Sequence, residues 1–382
     1  MTEQKGRWHM PQTDYSEISP VDLRNPFRNP TEEPDYSPDY REIAPELSMA
    51  GSRLPLYPEK PERSRIRRFF NLTFLTLIFG LIVTLSICTG LRMLSALILK
   101  QIDLRKMGNL PPNYMMIAEQ YMNDSAIGNA INLISFLCGN LIAFWVGCRL
   151  TNVKAETMFR LRDLGAVRTV KYVLVGLWLQ LLTGLLAGWL LPFLRRAGIP
   201  VTGHPVSLEG SRSKIMLLVL YCCLIAPVTE ELLMRGIVLK NLSRVSQRFG
   251  IFMSAFLFAV MHDNLPQFLL TFPLGILLGY ITIQHNSLTP AIITHMAVNS
   301  FAMLQQFAHR MLERSLFRTA ELSYILLLLL LGSAAFFYML LTERLPDKTP
   351  HQSSRGMRLA AGCPLFWAFL CLHAAIVIYA MI

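Results

Sequence analysis

The chain has 382 residues, 53% of them hydrophobic and only 16% charged, with a formal net charge of +11. So few charges on so apolar a chain argue against a large soluble enzyme and for a polytopic membrane protein. The positive charge does not point to nucleic acid: residues 1–68 hold 11 Lys/Arg against 12 Asp/Glu, so the excess sits on the apolar part, where basic residues set orientation and meet anionic lipid headgroups.

Residues 1–62 carry ten prolines among mixed charges and few aliphatic side chains. Such a segment cannot bury enough apolar surface to offset its ordering entropy, so a disordered tail is expected, a spacer or a docking segment for a protein partner. The first apolar run starts only near Phe69, so no secretory signal is expected. The basic cluster Arg63, Arg65, Arg67 and Arg68 precedes the first apolar run, as on a cytoplasmic flank. Apolar runs follow at about 69–91, 127–148, 170–194, 214–239, 250–262, 266–283, 288–308, 323–341 and 361–382. They predict an all-α, polytopic transmembrane helical bundle of 8–9 spans, multi-pass in the cell membrane with a cytoplasmic N-terminus. The run at 250–262 is short and breaks at Asp263-Asn264-Leu265-Pro266, so a helical hairpin with its successor is expected there. The chain divides into a tail (1–68), N-terminal helices (69–212), a polar-bearing core (213–309) and C-terminal helices (310–382). Gly184/Gly188 and Gly275/Gly279 are GxxxG pairs that would let helices approach closely. The seven cysteines all fall in apolar runs without CxxC spacing and read as small buried hydrophobes.

Of 13 acidic residues beyond the tail, only Glu230, Glu231 and Asp263 lie in or against apolar helices. A carboxylate at the centre of a membrane helix costs about 2.5 kcal/mol or more, so the Glu pair needs compensation. Glu231 and Arg235 are one turn apart and can pair, while Glu230 points about 100° away, toward a cavity. Pro227 removes a backbone donor just before them and should open the helix ladder. Phe258 and His262 share one face of the next helix, and His295 and Asn299 share one face of a third. His204, His285, His309 and His351 read as solvated loop residues, and His373 as a lone structural residue of the last span. The gathered set suits hydrolysis. A carboxylate with an imidazole can take a proton from water, and a second His with an Asn can donate to the oxyanion of a tetrahedral intermediate.

The ordered series EExxxR (Glu230, Glu231, Arg235), FxxxH (Phe258, His262) and HxxxN (His295, Asn299), spaced about 30 residues apart over roughly 213–305, resembles the CPBP family. These are the CAAX proteases and bacteriocin-processing (Abi) enzymes, which include CAAX prenyl endopeptidases. The resemblance implies an intramembrane endopeptidase acting on a membrane-associated peptide or lipidated protein. Glu230 and His262 would then activate water, His295 and Asn299 would hold the oxyanion, and Glu231 and Arg235 would support the helix. The family is often called metalloprotease, and Glu230, His262 and His295 would be the zinc ligands if one binds. There is no HExxH here, and a zinc set made from these residues would use up the general base, so a metal-free glutamate mechanism is favoured. From the residues alone, a non-enzymatic membrane protein that binds a peptide in the same cavity, such as an immunity or regulatory factor, and a proton-coupled transporter remain alternatives.

Overall fold

The computed structural model describes residues 60–155, 158–159, 165–199, 201, 208–343 and 353–381. The tail through residue 59, His204 and His351 therefore lie outside the described residues. In chain order the helices are α1 (Lys60–Met107), α2 (Tyr114–Asp124), α3 (Ala126–Thr151), α4 (Ala166–Arg196), α5 (Arg212–Leu242) and α6 (Gln247–Val260). After them come α7 (Leu265–His285), α8 (Thr289–Met311), α9 (Arg314–Thr342), α10 (Ser353–Ala361) and α11 (Pro364–Met381). Among the described residues there is no β-strand.

Among the described residues seven helices (α1, α3, α4, α5, α7, α9 and α11) are long and apolar enough to cross a membrane. The other two expected runs are also helices. The first, α6, has only 14 residues. The second, α8, spans 23 residues but is diluted by Thr294, His295, Asn299, Gln305 and Gln306. The outward face of the bundle is apolar, with Leu330 68% and Leu341 84% exposed, as a lipid-facing surface requires. Two boundaries differ from the sequence reading. The first helix begins at Lys60 rather than near 69, because a proline is tolerated in a first helical turn and Ile66 and Phe70 are already buried. The short α2 was not anticipated; it buries Tyr114, Ala118 and Met122 on one i, i+4 stripe, too brief a pattern to register as an apolar run.

One core joins α1, α5, α6, α10 and α11 through Phe70, Phe74, Val238, Met253, Leu257 and Phe369. A second joins α4, α7, α8 and α9 through Tyr172, Leu278, Val298 and Leu328. The segments on either side of 213–309 are thus packed into it. The expected α6–α7 hairpin is present, and its helices touch at Gly275, where a Cβ would sit 3.0 Å from the Cα of Ala255. The other pair, Gly184 and Gly188, faces open space within 4 Å, so it makes no close helix approach among the described residues. All seven cysteines are free; only Cys363 is buried and Cys371 is exposed, so most of them face partly outward, contrary to the buried reading.

The helix α5 is not uniform. Two π-turns, Tyr221–Ile225 and Met234–Leu239, bracket the α-helical Ala226–Leu233 that carries Pro227 and both glutamates. The amide of Ala226 donates to Tyr221 O, five residues back. The next bond in that register would run from residue 227 to Cys222 O, and residue 227 is proline, which has no N–H. The Cys222 carbonyl is therefore released from the ladder beside the carboxylates.

Candidate active site

Arg235 donates from Nη1 to Glu231 Oε1 at 2.9 Å and from Nη2 to Gly275 O at 3.0 Å, with both charged side chains 0% exposed. Its guanidinium carbon stands 4.8 Å from the centre of the Phe258 ring. The cation thus ties α5 to α6 and α7, and the close α6–α7 contact at Gly275 brings the accepting carbonyl into its reach. His295 on α8 donates from Nδ1 to the same Glu231 Oε1 at 2.9 Å. A carboxylate only accepts, so this bond puts a proton on Nδ1 and leaves Nε2 to face the cavity. Glu231 is consequently a partner of two groups, not of Arg235 alone; the His295 contact crosses 64 residues of sequence and no local spacing announces it.

Glu230, on the next face of α5, is 23% exposed at its side chain and lines a cavity of about 790 Å³. His295 Nε2 lies 3.9 Å from Glu230 Oε2, beyond direct hydrogen-bond range. The same cavity is lined by His262, Asn299, Asn140 and Gln267 over otherwise largely apolar walls. His262 Nδ1 is 2.9 Å from Phe258 O. A carbonyl accepts only, so the Nδ1 proton is engaged and Nε2 keeps its lone pair for the cavity. Phe258 meets His262 edge-on at 4.9 Å and His295 at 5.8 Å, so one buried ring sets the spacing of both imidazoles. Asn299 donates from Nδ2 to Cys222 O at 3.0 Å, filling the acceptor that Pro227 leaves open. One of its two amide protons is therefore spent on orientation and one remains.

The structure thus brings Glu230, His262, His295 and Asn299 to one cavity, with Glu231, Arg235 and Phe258 behind them. It adds residues that the sequence reading passed over. Asn140 on α3 donates to Thr229 Oγ1 at 3.1 Å, next to Glu230; with Phe136 and Phe144 one turn to either side it formed no polar i, i+4 stripe. His373 is not alone: its Nδ1 donates to Asp263 Oδ1 at 2.7 Å. His285 is half-buried rather than solvated, with its Nε2 2.7 Å from the hydroxyl of Tyr172. Outside the spans, Glu343 accepts from Lys171, Tyr172 and Tyr280, a second polar knot joining α4, α7 and the end of α9. Burial pushes the Glu343 carboxyl up, but the hydrogen bonds from Lys171, Tyr172 and Tyr280 outweigh it and hold the group below its ordinary value.

Among the described residues no three His, Cys, Asp or Glu side chains form a group that could hold a metal ion. The Glu230, His262 and His295 set does not gather as a ligand cage in this arrangement.

Residues 212–301 match the family described as Rce1-like, type II CAAX prenyl endopeptidase. Every residue of the three motifs lies within that stretch, so the resemblance to the CAAX proteases is borne out over it and supports a CAAX-type intramembrane protease. No curated protein matches the chain, and no solved structure does.

Proposed function

We propose, from the Rce1-like segment at 212–301 as premise, that the chain is an intramembrane endopeptidase that hydrolyses a peptide bond of a membrane-associated peptide or protein with water activated by Glu230 and His262. The observation that carries this reading is the split between the two glutamates. Glu231 is sealed against Arg235 and His295, whereas Glu230 opens into the cavity without a hydrogen bond from the described residues. A carboxylate held without a hydrogen bond beside two imidazoles inside a membrane bundle costs stability, and such a cost is expected where the group does chemistry.

In this mechanism a water held between Glu230 and His262 Nε2 gives a proton to the carboxylate as its oxygen attacks the carbonyl carbon. The C–O bond forms and the carbonyl π electrons move to its oxygen. That oxyanion accepts from the remaining amide proton of Asn299 and from His295 Nε2–H when both ring nitrogens are protonated; each donor is typically worth about 3 kcal/mol in the transition state. Glu230 then returns the proton to the leaving nitrogen, the C–N bond breaks, and an acid and an amine leave. Glu231 acts through His295 by fixing its ring, as a third group orients the imidazole of other hydrolases. The mechanism routes no step through zinc. The basic cluster at Arg63 to Arg68 supports a cytoplasmic N-terminus in the cell membrane.

The family description makes a prenylated peptide with a CAAX C-terminus the first substrate to offer. Purified protein in lipid vesicles is expected to cleave it, and Glu230→Ala to abolish cleavage while still inserting. In cells, mass spectrometry of membrane peptides should show products that vanish in Glu230→Ala. Identical peptide sets, together with an inert purified wild type, would reject the assignment.

A further inference from the structure

We propose that Asp263 and His373 form a positioning pair through which the last helix, outside the family-matched segment, aims His262 at the reacting water; this rests on the protease reading above. His262 sits where α6 has just ended, and the residue after it is in an unusual conformation. Asp263 has φ +53°, the left-handed region that disfavours side chains. A non-glycine residue there costs about 1 kcal/mol or more, so the turn needs outside support to persist. The local chain supplies part of it. Asp263 N donates to Val260 O at 3.1 Å, and Asn264 Nδ2 donates to His262 O at 2.7 Å. Neither bond reaches beyond the turn itself.

Asn264 caps α7 by accepting from Gln267 N at 2.9 Å, and a bond from farther in the chain comes from α11. His373 Nδ1 donates to Asp263 Oδ1 at 2.7 Å, across 110 residues of sequence. The imidazole is 3% exposed and lies tilted against the Phe369 ring with centres 4.4 Å apart, and among the described residues its buried Nε2 has no partner. A buried imidazole nitrogen without a hydrogen bond costs stability that a Leu of similar size would not. The ring is therefore not explained as packing. Among the described residues its polar contact is to the residue that follows His262. Asp263 also lines both the catalytic cavity and a neighbouring cavity of about 510 Å³ bordered by α1, α3 and α11. His262 Nδ1 remains locked to Phe258 O only while the backbone of 261–264 holds its course.

The test uses full-length protein in lipid vesicles with the prenylated CAAX peptide, comparing wild type, His373→Leu, His373→Asn and Asp263→Asn. Asparagine at 373 keeps an N–H near the Nδ1 position, and asparagine at 263 keeps an acceptor and tolerates the left-handed backbone. We expect His373→Leu to lower kcat about 10-fold or more, as small displacements of a catalytic group do, with KM within about 2-fold. Both asparagine variants should recover most of the loss. Amide exchange over residues 259–265 should rise in His373→Leu and stay at the wild-type level in Glu230→Ala. Wild-type kcat in His373→Leu, or equal losses in His373→Leu and His373→Asn, would overturn the pair. A wild type that cleaves nothing would defeat the protease reading alone; the exchange comparison would then decide whether the pair holds the turn, and unchanged exchange in His373→Leu would overturn it.

Discussion

Replacing Arg235 with Met takes a fully buried cation out of the junction of α5, α6 and α7. The variant loses the 2.9 Å bond to Glu231, the 3.0 Å bond to Gly275 O and the ring contact with Phe258. Glu231, 0% exposed, is then left with His295 alone. Breaking a buried pair from one side costs about 3–5 kcal/mol, because the surviving charge stays buried without its partner. Glu231→Met should cost a similar amount. The double variant Glu231→Met/Arg235→Met removes both charges, and an apolar replacement of a buried pair is often close to neutral. Its remaining penalty is the buried His295 Nδ1–H left without its Glu231 acceptor, about 1–3 kcal/mol. The double variant is therefore expected to be more stable than either single one, as read by SDS titration of the purified protein in mixed micelles. Stability and cleavage should then part company. The double variant has lost the acceptor that orients His295, so cleavage is expected to fall about 100-fold although the fold recovers. Singles that cost less than about 1 kcal/mol would refute the buried-pair energetics. A double variant that cleaves like wild type would refute the claim that Glu231 orients His295.

Asn299→Ala should lower kcat by about 100-fold through the lost oxyanion donor and also reduce stability, since Cys222 O loses its partner; an unchanged kcat would remove Asn299 from the mechanism. Chelator treatment should leave cleavage intact, and loss that zinc restores would overturn the metal-free mechanism. The Glu343 carboxyl is held below its ordinary value of 4.5, so its contribution to stability is complete above that value and fades as pH falls through the lower folded value. The melting temperature in detergent should therefore drop on acidification below about 4.5, and Glu343→Gln should flatten that part of the profile; an unchanged slope would show that the Lys171, Tyr172 and Tyr280 contacts do not stabilise the fold. Gly275→Val should loosen the α6–α7 contact and cost about 1–3 kcal/mol, measured in the same SDS titration.

The sequence by itself determined the class of the fold and the helix faces on which the motif side chains lie. Length and apolar run counting suffice for membrane helices, because a bilayer forces each backbone to satisfy itself within its own segment. The i, i+4 period likewise placed Glu231 with Arg235, Phe258 with His262 and His295 with Asn299, since those relations are local to one helix. The tertiary structure decided which partner each polar group takes. It gave Glu231 a second partner in His295, sent one proton of Asn299 to the carbonyl that Pro227 frees, and joined His373 to Asp263. It also brought Asn140 to Thr229 beside Glu230, and His285 to Tyr172. Each of these bonds spans tens of residues or more, between helices whose crossing is set by packing at places such as Gly275 and Ala255. A helical repeat reports which face a side chain occupies; only the packed bundle says what that face meets.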